Sequence, residues 1–420
     1  MNKLLATIIL ILLAMPTLAS GSSSDVTQPE ALAAMLYGPD AAVGTPTRSM
    51  QDHLRQLKTL GHSNVELDRI VQQFLPAMAA ATYAQTVNKT GQLLQRMGGY
   101  VDRPWPGSNR YQEHSYEQRG QNAASRYRTY SGTGAGCREN NSLWFESYGY
   151  YEKQPLHKGF AGYTTDGFGF LTGFDTTFLA GKWTLGFGYN YTSDDLATQQ
   201  WTTLDGVTND PSRVNTEFHT LLIYSRIYLS ETFFLSSKFG GSSGDIAGQR
   251  LSDASSSTIS TYSTEATNYL MQFVAGYDLI RRPNWRLMPR AAFSYFDYSQ
   301  EGYIENGTLG DVAVGKLNNA FCELNVVLDF AVRISATTEL LTTVGYRSHL
   351  GGDSAVLRVQ SDGLSFNANG IAAVQEAFLL DLGGEFMLAD GFALALLYNL
   401  RLAENSNQLH AGTGSIVWEF

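Results

Sequence analysis

Two stretches of this sequence carry the residue types of a serine hydrolase. Gly240-Gly241-Ser242-Ser243-Gly244 fits the G-x-S-x-G spacing, in which a serine is lifted on a sharp turn between a strand and a helix. Gly352-Asp353-Ser354-Ala355 sets a second serine beside an acid, with His349 shortly before it. A histidine near a carboxylate can serve as general base for a nucleophile or a water. Of the seven histidines (His53, His62, His114, His157, His219, His349 and His410), His157 and His349 fall in or beside long polar connections. Gly167-Phe168-Gly169 repeats part of a dinucleotide fingerprint but opens no helix. No Cys/His spacing suits a metal. Neither serine has the strand–elbow–helix setting that its motif requires, so polar loop residues are the simpler reading. The expectation is a protein without catalysis, cofactor or metal.

Composition narrows the classes. Charged residues make up 16% of the chain, against roughly 25% in an ordinary soluble domain. There are 23 Tyr, 22 Phe and 41 Gly, yet the mean hydropathy is slightly negative, which excludes a bundle of membrane helices. A sheet with lipid on one face and water on the other has this composition. A net charge of −10 disfavours nucleic acid. Two cysteines, Cys137 and Cys322, are too few for a disulfide framework.

From Leu143 to Phe420 the apolar residues recur with a period of two. Leu324, Val326, Leu328, Phe330 and Val332 alternate with Glu323, Asn325, Asp329 and Arg333. Leu394, Leu396, Tyr398, Leu400 and Leu402 alternate with Asn399 and Arg401. Twelve such strands are predicted, near 143–152, 167–179, 182–192, 214–229, 232–247, 265–281, 285–300, 320–334, 338–349, 373–388, 391–403 and 408–420. Short turns such as Ala180-Gly181 and Ser230-Glu231 alternate with long polar connections at 153–166, 193–213, 248–264, 301–319 and 350–372. Strands this long exceed the roughly five or six residues of a soluble sandwich. Long strands with short turns at one end and long loops at the other are the signature of an outer-membrane barrel. The predicted fold is therefore an all-β membrane protein, a 12-stranded antiparallel transmembrane β-barrel, with an N-terminal α-helix in its pore.

Strand parity predicts which charges line that pore: Asp175, Lys238, Asp278, Arg290, Glu323, Asp329, Arg333, Arg347, Asp381, Glu385 and Arg401. Both signs are present, which points to cross-paired lumen walls. The same parity turns Cys322 toward lipid, away from any disulfide with Cys137.

Ahead of the barrel the chain falls into four parts. Residues 1–20 read as a signal peptide, with Lys3, an apolar run from Leu4 to Met15, and a small-residue cleavage zone around Ala19. Residues 21–63 are mixed, mostly polar and without repeats. Residues 64–100 read as helical, with Asn64 as a cap, Ala77, Ala79, Ala80, Ala81 and Ala84 keeping the second half slim, and Gly98-Gly99 as a stop. At about 1.5 Å per residue, such a helix can thread a membrane core of about 30 Å. Residues 101–138 form a linker, and the barrel takes 139–420.

These segments together resemble the autotransporter β-domain family of type V secretion over residues 64–420. Trp144 to Tyr150 resembles the family's first strand, and Gly167 to Asp175 with Trp183 to Tyr189 its second and third. Leu287-Met288-Pro289 to Tyr295, running on to Glu305-Asn306-Gly307, resembles a later strand and loop. The ending Ser415 to Phe420 resembles the signal read by the barrel-insertion machinery, with Trp418 and Phe420 as its aromatics. The family's pore helix is resembled by Val87 to Met97, with Asn88 the nearest candidate for cleavage, and Lys89 and Arg96 its charges.

The resemblance implies a Gram-negative outer-membrane translocator that exports or displays its own N-terminal segment, here unusually short. It implies outer-membrane lipid and lipopolysaccharide, barrel-assembly machinery and periplasmic chaperones as partners, and a monomer. The alternatives are a channel or surface adhesin plugged by its own helix and, more remotely, an outer-membrane hydrolase. Barrel proteases of the omptin type have ten strands, which argues against that form of hydrolase.

Overall fold

A strand that turns alternate side chains to lipid and to water leaves its backbone groups unpaired unless a neighbour lies on each side. Only a closed sheet meets that demand in a membrane. The computed structural model describes residue 36, residues 46–59 and residues 140–420, apart from 156–161, 180–181, 199–200, 203–207, 210–211, 231, 252–258, 283, 307–311, 352–355, 362–363, 370–375 and 390. The expected signal peptide, the pore helix with Asn88, Lys89 and Arg96, and the linker lie outside the described residues.

Twelve strands build the wall. They are β1 (Asn140–Gln154), β2 (Tyr163–Phe178), β3 (Trp183–Thr198) and β4 (Arg213–Tyr228); β5 (Phe233–Leu251), β6 (Ile259–Tyr277), β7 (Trp285–Gln300) and β8 (Leu317–Arg333); and β9 (Thr338–Gly351), β10 (Glu376–Ala389), β11 (Phe392–Ala403) and β12 (Gln408–Glu419). Each pairs antiparallel with the next, and β12 pairs back with β1 from Ser142↔Glu419 to Lys153↔Gln408. The barrel is closed. The tight turns after β2, β4, β6, β8 and β10 share one end with the start of β1 and the finish of β12, and the long connections share the other.

The outward face is the apolar one. Leu221 and Phe187 stand 69% and 60% exposed at mid-height, a pattern stable only against lipid. Aromatic residues ring both edges of this band. Near the turns, Phe178 packs on Trp183 at 5.7 Å and Trp285 on Phe330 at 6.1 Å between ring centroids. Toward the loops lie Tyr151, Phe168, Tyr191, Tyr269 and Tyr398, with His219 and His410 accepting or donating to Tyr189 and Tyr398 at 2.6 Å. Such girdles mark the two membrane–water interfaces. Cys322 lies on this outward face of β8 as a free thiol.

The loop ends differ from the sequence expectation. The structure carries β3 on to Thr198 rather than 192 and β5 to Leu251 rather than 247, while β6 starts at Ile259 rather than 265. Above the lipid both faces of a strand are wet, so alternation fades while the backbone ladder continues, as in Gln249↔Thr261 and Arg250↔Ser260. The connections after β7 and β9, read from sequence as plain polar loops, instead join in a four-stranded sheet of Tyr303–Glu305, Val312–Val314, Val356–Ser361 and Leu364–Asn369. A small hairpin pairs Trp201–Thr202 with Thr208–Asn209.

A helix, α1 (Pro46–Thr59), lies in the stretch 21–63 for which the sequence suggested no element. Pro46 suits a first helical turn, and Leu54 is fully buried.

Placing a charge on the outward face tests the lipid assignment directly. Ile223→Arg, at mid-height on β4, is expected to destabilise the barrel by about 2–4 kcal/mol in lipid bilayers. Reversible denaturant unfolding in liposomes measures this. A cost near zero, the ordinary result for an exposed residue in water, would contradict the assignment.

Candidate functional site

The inward faces of the strands form one polar lumen. The structure places all eleven parity-selected charges on it, nine of them buried and Arg290 and Arg333 half-buried. Arg290 grips Asp329 with two hydrogen bonds, one of 2.9 Å, and Thr343 donates to the same carboxylate at 2.7 Å. Arg347 lies 3.4 Å from Glu323, and Asn399 donates to Asp381 at 2.8 Å. Lys238 donates to Gln272 at 2.8 Å, and Gln272 in turn to Ser294 at 3.0 Å. Near the turns Arg281 and Arg286 lie 3.7 and 3.9 Å from Asp278. Arg333 is in register with Glu339, and Glu339 with Glu385. A charge withdrawn from water is costly unless paired and hydrogen-bonded, and Arg290 with Asp329 meets both conditions.

Sequence parity missed the part of the lumen built by β1. Its inner face holds Trp144, Glu146, Tyr148, Tyr150 and Glu152, while its outer face holds Leu143, Phe145 and Tyr151. With aromatics on both sides, the strand gives no parity signal. The clue lay in its neighbours. Gly173, Gly169 and Gly167 of β2 stand opposite Trp144, Tyr148 and Tyr150, and a Cβ at any of the three would clash with the ring lying over it.

Because these rings lie flat across β2, they reach further strands. Tyr148 donates to Asn190 of β3 at 2.7 Å. Trp144 donates to the hydroxyl of Tyr224 on β4 at 2.8 Å, and Tyr224 donates to Asp175 at 2.7 Å.

The same packing accounts for the hydrolase-like motif. Gly240 and Gly244 face inward on β5 beneath Leu222 and Phe218 of β4. Ser242 donates to the Asn268 carbonyl at 3.3 Å from within a continuous strand. It stands on no elbow and faces no histidine among the described residues. His157, Asp353 and Ser354 lie outside the described residues. His349 stacks on Phe321 at 4.9 Å, and Phe321 on Phe296 at 4.5 Å. Glycines that make room for Leu222 and Phe218 had mimicked a nucleophile loop.

Toward the outer mouth, the four-stranded loop sheet turns an apolar face inward. Leu357, Val359, Val314 and Tyr303 are buried, and Tyr303 stacks on Tyr262 of β6 at 4.3 Å. Its other face carries Arg358, Gln360, Ser365 and Asn367. At the opposite end, Trp418 and Phe420 pack with tilted rings 4.9 Å apart on the outward side, half or more exposed.

A closed barrel of twelve strands with an apolar belt, two aromatic girdles and a charged lumen is an outer-membrane barrel of the Gram-negative kind. The profile of the autotransporter beta-domain matches residues 143–399, and the chain belongs to that family, as a translocator barrel. The translocator domain of autotransporter NalP from Neisseria meningitidis is similar in fold, with a TM-score of 0.55 at 12% identity over 69% of this chain and 90% of that one. So is the transport unit of the autotransporter AIDA-I from Escherichia coli, with a TM-score of 0.51 at 12% identity over 75% of this chain and 99% of that one. Among curated proteins no match to the sequence is found.

The Arg290–Asp329 pair offers a test of the lumen's electrostatics. Arg290→Met alone strands the Asp329 carboxylate and is expected to cost about 3–5 kcal/mol. The double change Arg290→Met with Asp329→Leu should recover most of that loss. Unfolding midpoints in detergent micelles measure both, and equal losses in the single and double variants would contradict the pairing.

Proposed function

We infer that this translocator barrel exports or displays its own N-terminal segment, residues 21–63, across the outer membrane, with no chemistry of its own. The observation that carries the reading is the place where the chain joins the wall. Residue 140 opens β1 at the turn end, on the same side as the finish of β12, and turns of this kind face the periplasm. A segment attached there reaches the cell surface through the lumen, since every strand joint is closed and the outside of the wall is lipid. The charged, hydrogen-bonded inner face suits a polypeptide, and Lys89 and Arg96 of the helix expected over 64–100 complement Asp381, Glu385 and Asp175 on the wall. Delivery uses the signal peptide of residues 1–20, periplasmic chaperones and the barrel-assembly machinery, which reads Trp418 and Phe420. The folded monomer sits in lipid and lipopolysaccharide. With no nucleotide in the periplasm, the driving energy is that of folding and insertion.

The second reading is a channel or adhesin whose helix stays in the pore while the outer loops act. The paired loop sheet, an ordered surface at the mouth, favours it. The two readings part on the fate of residues 21–98. An epitope tag after Ser24 is expected to bind antibody on intact cells. A full-length chain retained in the membrane with its tag inaccessible would overturn export and leave the plugged barrel. Deletion of residues 64–98 is expected to raise single-channel conductance in planar bilayers, and an unchanged conductance would remove the helix from the pore. Ester or peptide turnover lost in Ser242→Ala, Ser354→Ala or His349→Ala would instead restore the hydrolase.

A further inference from the structure

Eleven of the twelve strand joints link neighbours in sequence, and the twelfth, between β1 and β12, brings together the two ends of the sheet. Its chain loop is by far the longest, and so the entropy of closing it is the largest. The outward side of this seam is bare in its middle, between the pairs Phe145↔Ile416 and Tyr151↔His410. Ser147 faces Gly414 and Gly149 faces Gly412 across it, and a Cβ at Gly412 would meet nothing within 4 Å. Side-chain adhesion over the middle of the seam must come from the inward face.

At the loop end of that face a single carboxylate oxygen gathers donors from both sides. Glu152 of β1 is fully buried. Its Oε1 accepts from Arg401 of β11 at 2.9 Å, from Asn407 at the β11–β12 turn at 2.9 Å, and from Tyr163 of β2 at 3.3 Å. Arg401 also donates to the Asn407 side chain at 3.0 Å. Both Glu152 and Arg401 are register partners of Leu409 on β12. The guanidinium therefore passes over Leu409 to reach across the whole last strand. Below it Tyr148, Tyr150, Leu409 and Ala411 pack in one buried cluster.

We propose that Glu152, Arg401 and Asn407 form a latch that holds the seam between the first and last strands shut, and that barrel closure depends on it. Asn407 ties the latch to the short turn, Arg401 strides the last strand, and Glu152 receives both. Tyr163 extends the grip one strand further. These donors come from β2, β11 and the β11–β12 turn, so the carboxylate finds all its partners only when the sheet has become a cylinder.

The test uses the full-length protein and the temperature at which its compact, heat-modifiable form converts to the unfolded form on gels. In a background carrying Cys137→Ser and Cys322→Ser, Glu152→Gln is expected to lower that temperature by several degrees. A disulfide across the seam, from Ser147→Cys with Gly414→Cys, should restore it. One across the β4–β5 joint, from Leu221→Cys with Gly241→Cys, should not. An unchanged conversion temperature in Glu152→Gln would overturn the proposal, as would restoration by both disulfides or by neither. Should Glu152→Gln yield no folded barrel at all, the exchange Glu152→Arg with Arg401→Glu decides. Recovery of the compact form supports a latch, and its absence rejects one.

Discussion

The constraint on which everything else rests is that lipid offers no hydrogen bonds. Each backbone N–H and C=O inside the membrane must find a partner within the protein, and a sheet of finite width can satisfy its edge strands only by joining them. From that follows the return of β12 to β1. The division of side chains follows as well. Once the wall is closed, every second residue belongs to lipid and the others to an interior whose volume the strands themselves fix. The interior has to be polar enough to hold a polypeptide yet paired enough not to leave charges stranded.

Lumen order is achieved by two devices, one linking adjacent strands and one reaching over them. Along the circumference, short hydrogen-bonded chains such as Lys238–Gln272–Ser294 link neighbouring strands. Over a longer reach, aromatic side chains of β1 lie over the glycines of β2 and reach β3 and β4, as in Trp144–Tyr224–Asp175. The first device depends on polar residues facing each other, the second on the absence of a side chain beneath a ring. The first ties β5 through β7 and the second ties β1 through β4, the sector that begins the barrel.

How much of this was legible in the sequence depends on what each residue faces. Where one strand face meets lipid and the other water, as in β8 and β11, alternation is plain, and the inward positions of Glu323, Asp329 and Arg401 follow from counting. Where both faces carry aromatics, as in β1, or both are wet, as at the outer ends of β5 and β6, the pattern loses contrast, so Glu152 and the strand extensions stayed hidden. The pairing of two loops separated by two whole strands leaves no local trace at all. Glycine proved informative and misleading at once: its spacing in β5 imitates a catalytic motif because rings and aliphatic chains from β4 need room.

The joined loops also bear on how this surface can change over time. Val312–Val314 and Val356–Ser361 are strands of one sheet, so an alteration that bends one is felt by the other, although they belong to different connections. Variation under pressure from antibodies, phages or predators would have to be accepted in both loops together. The hairpin of Trp201–Thr202 and Thr208–Asn209 pairs, among the described residues, within its own connection. It is free to diverge alone. Among relatives of this chain, the first region should drift slowly and in concert, and the second quickly and independently.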